Sequence, residues 1–218
     1  DHPDHKILPL VFAAATACEL GAAEIGLISP YLAYMRQDRR FNPGEAVTSR
    51  QFASLLSDAF DWLITVDPHL HRYSSLAEIY SVPTRVVHAA PLISEWIRSN
   101  VRLPLIVGPD SESEQWVAAT ANEIGAPYTV LEKVRHGDRD VEILIRDASQ
   151  LQGRTPVLVD DIVSTGRTMI EAVRLTRAQS AAAPVCIAVH GLFADHADKM
   201  LAAAGARVVT CNTVPHPT

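Results

Sequence analysis

Two adjacent carboxylates and a hydroxyl-rich turn stand together in TPVLVDDIVSTGRTMIEA, residues Thr155–Ala172. An apolar run delivers Asp160 and Asp161, a short turn from Ser164 to Thr168 follows, and a helical pattern comes next. Backbone N–H groups at a helix start attract anions, and the hydroxyls of Ser164, Thr165 and Thr168 add donors there. Gly166 lets the backbone approach a phosphate closely. Carboxylates accept hydrogen bonds from a vicinal diol. This combination suits a sugar phosphate. The plainer alternative is a strand ending in a helix-capping turn. Two consecutive acids after the apolar run, followed by Ser-Thr-Gly-Arg-Thr, are more than a cap requires. Neither a G-x-x-x-x-G-K-[ST] phosphate loop nor a dinucleotide G-x-G-x-x-G occurs.

Four weaker signals accompany it. Tyr34–Arg40 (YMRQDRR) sets Arg36, Arg39 and Arg40 around Gln37 and Asp38. Guanidinium forks suit polyphosphate oxygens, although a solvated basic loop would look the same. Asp67–Arg72 (DPHLHR) follows an apolar run directly. On a regular strand His69 and His71 would point apart and could not both face one metal; either also reads as a surface loop residue. Gly108–Glu114 (GPDSESE) places Asp110 just past a strand end, where the acids would also suit the dipole of a following helix. Residues 133–140 (KVRHGDRD) read as a highly charged loop holding one of the three lysines, Lys6, Lys133 and Lys199.

The elements that must carry these residues alternate between apolar runs and amphipathic stretches. The spacing predicts a helix over 5–20, a strand over Glu24–Ser29, a loop over 31–47 and a helix from an N-cap at Thr48 to Ala59. Strands at Trp62–Val66 and Thr84–His88 and a helix after Pro91 follow. In the second half the expected strands are Leu105–Gly108, Tyr128–Glu132, Val157–Val159, Val185–His190 and Val208–Cys211. The expected helices are Glu112–Ile124, Thr168–Arg177 and His196–Ala204. Strands separated by helices imply βαβ units and a mainly parallel sheet, in two blocks joined near His88–Ala90.

Composition narrows the function classes. With 48% hydrophobic and 20% charged residues, the chain carries enough apolar side chains for packed cores and is not a disordered segment. A net charge of −6 and an aromatic content of 6% argue against nucleic-acid partners. Cys18, Cys186 and Cys211 have no metal-ligand spacing and read as reduced, mostly buried thiols of a cytoplasmic protein. The longest apolar stretch, Ile7–Ile28, is broken by Glu19 and Glu24 and lacks the flanks of a leader, so no membrane or export segment is expected.

The Asp-Asp loop resembles the ribose-5-phosphate or phosphoribosyl-diphosphate loop of the phosphoribosyltransferase fold. The ordered set YMRQDRR, DPHLHR, GPD and VDDIVSTGRT resembles the ribose-phosphate diphosphokinase family, archaeal-type branch, apparently truncated at both ends. The stretch Leu131–Glu142 (LEKVRHGDRDVE) resembles that family's flexible catalytic loop. Thr210–Pro215 (TCNTVP) resembles its Asp-Thr-Ile/Val-Pro stretch, with Asn212 in place of the acid.

The resemblance implies an α/β protein of two tandem phosphoribosyltransferase-like domains, each a mainly parallel sheet flanked by helices. Residues 1–88 would be a partial N-terminal domain on the ATP side, and 89–218 the ribose-5-phosphate side. It implies transfer of the β,γ-diphosphoryl group of ATP to the 1-hydroxyl of ribose 5-phosphate, with Mg²⁺ and in a homo-oligomer, dimer or hexamer. Arg36, Gln37, Arg39 and His69 would hold ATP, and His69 and Asp110 would hold the metal. Asp160, Asp161, Ser164, Thr165, Gly166, Arg167 and Thr168 would hold ribose 5-phosphate, and Lys133 and Arg135 would be catalytic. Arg167 stands where most members have Gly, which either adds positive charge near the phosphate or narrows the loop. The alternatives are a transferase that consumes phosphoribosyl diphosphate and a non-catalytic regulatory relative.

Overall fold

The computed structural model describes residues 3–110, 113–135, 141–145 and 148–216. The chain forms two compact units, Asp1–His88 and Ala89–Thr218.

In the first unit, α1 (Asp4–Glu19), β1 (Gly26–Ser29), α2 (Thr48–Ala59), β2 (Trp62–Val66) and β3 (Thr84–Val87) follow the predicted order. The strands form a parallel sheet in the order β1-β2-β3, with Ile28 opposite Ile64 and Ile64 opposite Arg85. In α2, Ala53 and Leu56 lie on one helical face and are fully or nearly fully buried, as an amphipathic helix over a core requires. They pack with Leu27, Leu32, Met35 and Leu63. Thr48 does not cap α2: the helix begins at Thr48 itself, after Val47, with no side-chain cap bond.

The second unit carries α3 (Ala90–Asn100), β4 (Pro104–Gly108), α4 (Glu114–Ile124), β5 (Tyr128–Arg135), β6 (Val141–Ile145), β7 (Thr155–Val163), α5 (Arg167–Gln179), β8 (Val185–Gly191), α6 (Ala197–Ala203) and β9 (Arg207–Thr210). Its sheet order is β6-β5-β4-β7-β8-β9, with every pairing parallel except β5 with β6. The interior strands β4, β7 and β8 contain unbroken buried apolar runs, because helices cover both faces of a parallel sheet. Met169, Ile170, Ala172 and Val173 of α5 close over this core. β4 connects outward to β5 on one side, while β7 lies on its other side. The strand order therefore reverses between β4 and β7, and in open α/β sheets ligands bind at the carboxyl ends of the strands at such a point.

Two expectations need correction here. The charged loop over 133–140 is in part a hairpin: β5 continues to Arg135 and pairs antiparallel with β6, Lys133 opposite Ile143 and Arg135 opposite Val141. An antiparallel edge arm tolerates charge at alternate positions, so the loss of an apolar run did not mark the end of the strand. Residues 136–140 of that segment lie outside the described residues. None of the three cysteines, all among the described residues, forms a disulfide, but they are not mostly buried. Cys18 is exposed and Cys211 half-buried, while burial pushes the Cys186 thiol up to about 12. Among the described residues no helix is long and apolar enough to cross a membrane.

Candidate functional site

Asp160 and Asp161 sit near the carboxyl end of β7, which runs further than its apolar stretch because it stays paired with β8 through Val163 opposite Gly191. Each carboxylate is tied to the backbone just ahead of it. The Asp161 N–H donates to Asp160 Oδ1 at 3.0 Å, and the Ile162 N–H donates to Asp161 Oδ1 at 2.7 Å. Burial, together with the neighbouring charges of Asp161 and then Asp110, holds the Asp160 carboxyl well above its ordinary value. Asp110 comes from just beyond β4, and its carbonyl accepts the Ser113 hydroxyl at 2.6 Å. The charges of Asp161, beside it on β7, and of Asp110, just beyond β4, thus both bear on Asp160 at the order reversal. Such a place favours a hydroxyl donor, a proton or a cation.

The turn after β7 has the backbone geometry that an anion cradle needs. Gly166 takes a left-handed conformation at φ +66°, and its carbonyl accepts the Ile170 N–H at 2.8 Å, which starts α5. No side chain of the N-cap residue caps this helix start, which suits the first N–H groups of α5 to an anion. Thr165 and Arg167 are exposed; Ser164, Gly166 and Thr168 are half-buried. Arg167 is the first residue of α5, one residue earlier than the expected start. Lys133 and Arg135 have their backbone on β5, whose neighbour β4 leads into Asp110.

In the first unit the arginine loop joins β1 to α2. Arg36 and Arg39 are exposed and Gln37 is half-buried. Arg39 stacks over the Phe41 ring at 4.8 Å. The loop is pinned rather than loose: Ser49 N–H donates to the Gln37 carbonyl at 3.2 Å, and the buried Asp38 carboxylate lies 3.4 Å from Arg72 Nε. The Tyr73 hydroxyl reaches both the Asp38 carbonyl at 3.4 Å and the Ser49 hydroxyl at 3.0 Å. Arg72 and Tyr73 come from the segment that holds His69, so two of the sequence motifs support each other directly.

His69 lies in the loop beyond β2, which leaves the strand through Asp67 at φ +32°. The Asp67 carboxylate is buried and meets His88 Nδ1 at 2.8 Å. The expectation that His69 and His71 point apart fails. They are not on a strand, and their rings stack with centroids 5.6 Å apart. Sequence reasoning missed Asp67 with His88, and Asp38 with Arg72. Both acids were visible, Asp67 just after a strand and Asp38 within the arginine loop, but their partners were not.

His69 belongs to the first unit and Asp110 to the second. Among the described residues no three His, Cys, Asp or Glu side chains group closely enough to hold a metal ion. Mg²⁺ does not need such a cage, since it binds one or two carboxylates and completes its shell with water and substrate phosphates. The hard oxygen donors crowded at Asp110 and Asp160 fit that demand.

Comparison with known proteins agrees with this fold. Residues 1–59 match the family model described as the N-terminal domain of ribose phosphate pyrophosphokinase, and residues 75–217 match the phosphoribosyl transferase domain. A ribose-phosphate pyrophosphokinase of Methanopyrus kandleri is 36% identical over 217 residues, 98% of this chain and 73% of that protein. One from Halobacterium salinarum is 35% identical over 207 residues, 94% of this chain and 70% of that protein. The crystal structure of phosphoribosylpyrophosphate synthetase from Mycobacterium smegmatis superposes with a TM-score of 0.82 at 27% identity, covering 96% of this chain and 68% of that one. Two family models in tandem, and relatives alike over nearly all its length, show one thing plainly: the chain belongs to the ribose-phosphate pyrophosphokinase family.

Proposed function

We propose that Asp160, Asp161 and Ser164–Thr168 hold ribose 5-phosphate, that Arg36, Gln37, Arg39 and His69 hold ATP, and that Lys133 and Arg135 act on the transferred group. As a member of this family the chain is an enzyme that transfers the β,γ-diphosphoryl group of ATP to the 1-hydroxyl of ribose 5-phosphate. The ribose 1-oxygen forms a bond to the β-phosphorus, the bond from that phosphorus to the oxygen of the α-phosphate breaks, AMP leaves, and the hydroxyl proton is released. Such a displacement needs positioning and charge neutralisation more than covalent chemistry.

The observation that carries the reading is the pair of carboxylates at the strand-order reversal, followed at once by an uncapped helix start. The acids accept from the ribose hydroxyls while the N–H groups of the turn hold the 5-phosphate, which fixes the sugar at both ends. Lys133 and Arg135 supply positive charge for the β-phosphate in the transition state. In the second unit Asp110, and in the first unit His69, would each hold Mg²⁺ directly or through its waters, and the ion when bound neutralises phosphate charge. Family membership further supports a cytoplasmic homo-oligomer, dimer or hexamer.

Incubation with Mg-ATP and ribose 5-phosphate should yield AMP and phosphoribosyl diphosphate in equal amounts. Release of inorganic phosphate without AMP, or no turnover with ribose 5-phosphate still bound, would remove the transfer assignment and favour a regulatory relative.

A further inference from the structure

The turn that follows the acid pair is held from behind by a second, more strained turn. Val163, the last residue of β7, offers one carbonyl to two donors, the Leu192 N–H at 3.0 Å and the Phe193 N–H at 3.1 Å. This carbonyl immediately precedes Ser164, so the two bonds set the direction in which the anion turn leaves the sheet. To reach it, the chain after β8 passes through Phe193 at φ +46°, Asp195 at φ +55° and His196 at φ +60°. None is glycine. Left-handed backbone at ordinary residues persists only where its surroundings over-determine it, and it clusters at functional sites.

Those surroundings are present. Phe193 is 7% exposed and meets the His216 ring edge-on with centroids 4.8 Å apart. Its ring fills the space that a side chain at Gly191 would take. The segment after β9 is strapped down beside it. The Thr213 hydroxyl donates to the Val189 carbonyl at 2.6 Å, so His190 Nδ1, 2.9 Å away, is the donor to that hydroxyl. The strained turn ends at Ala197, which opens α6 and is fully buried. A methyl group placed on Gly166 would come within 3.1 Å of the Ala197 Cβ. Gly166 and the buried Ala197 are therefore closely fitted to each other: a side chain at 166 would press on Ala197.

We propose that the Phe193–Ala197 turn is a positioning element for the ribose-5-phosphate cradle, with Phe193 and Ala197 as positioning residues for the phosphate. Phe193 keeps the clamp on the Val163 carbonyl, and Ala197 sets how far the backbone at Gly166 can retreat. A bulkier residue at 197 displaces the cradle N–H groups without touching ligand. This rests on the reading that Ser164–Thr168 bind the 5-phosphate.

The test measures ribose 5-phosphate affinity by calorimetry, together with kcat and both KM values, on full-chain Ala197→Val and Phe193→Ala. Ala202→Val, on the exposed side of α6, is the control. The expected result is a rise of about tenfold or more in Kd and KM for ribose 5-phosphate. The KM for ATP stays within about twofold and the control is unchanged, a split that general destabilisation would not produce. Should Ala197→Val fail to fold, Ala197→Ser takes its place with a smaller shift in the same direction. Folded variants with wild-type affinity for ribose 5-phosphate would overturn the proposal and leave the cradle reading intact. Wild-type protein that does not bind ribose 5-phosphate would overturn both.

Discussion

Replacing Asp161 separates its two tasks. Its Oδ1 accepts the Ile162 N–H at 2.7 Å, and its charge is the second cause, after burial, of the raised Asp160 carboxyl. Asp161→Ala removes both, and with them the acceptor assigned to the ribose hydroxyls. A hydrogen bond to a charged acceptor contributes about 1.5–3 kcal/mol, so ribose 5-phosphate affinity should fall by about 10- to 150-fold. The orphaned Ile162 N–H should cost about 1–3 kcal/mol of stability, because a part-buried donor is left unmade. Asp161→Asn keeps an acceptor for that N–H and should spare most of this stability. Both variants should also change the pH dependence of unfolding. Because the Asp160 carboxyl is raised in the folded protein, its contribution is full below the ordinary value of 3.8 and is lost as pH rises through the raised value. Without the Asp161 charge this loss should still begin near 3.8 but be complete at a lower pH, over a narrower range. Calorimetric titration with ribose 5-phosphate, and thermal unfolding across pH, test the two parts. Wild-type affinity in Asp161→Ala would refute the diol assignment, and an unchanged pH profile would refute the electrostatic account of Asp160.

Other perturbations follow from the same geometry. Lys133→Ala should lower kcat by about 10²–10³-fold with ribose 5-phosphate affinity retained, since its proposed partner is the moving phosphoryl group; single-turnover kinetics would show otherwise if the chemical step were unaffected. His69→Ala should move the Mg²⁺ dependence of activity to higher concentration, and a superimposable metal titration would remove His69 from the metal site. Arg72→Ala takes away the partner of the buried Asp38, but Arg72 is 42% exposed, so the loss should be only about 1 kcal/mol. It should appear as a rise of a few-fold in the KM for ATP with no change for ribose 5-phosphate, and an equal effect on both substrates would contradict a local role.

Much of the site was legible because its chemistry is local. Asp160, Asp161 and the Ser164–Thr168 turn lie within nine consecutive residues, and an apolar run, an acid pair and a helix start leave a pattern in the chain itself. The hairpin arm β6 was not legible. β6 is a short run, VEILI, made a strand by pairing with β5, and the charges at Lys133 and Arg135 hid the β5 arm that it pairs with. The His69–His71 stack was misread because strand periodicity was extended into a loop that has already turned through Asp67.

By itself, then, the amino-acid order determined the alternation of strands and helices, the apolar runs of β4, β7 and β8, and the placing of acids just beyond strand ends. These are consequences of neighbours along the chain. Only the tertiary structure decided which strand ends stand together. The reversal of order between β4 and β7 sets Asp110 within electrostatic reach of Asp160, although fifty positions separate them in the chain. Likewise, no pattern in the sequence marks Phe193, Asp195 and His196 as left-handed. That conformation exists because the Val163 carbonyl, the Phe193 pocket and the buried Ala197 require it together, and those groups meet only when the sheet has formed.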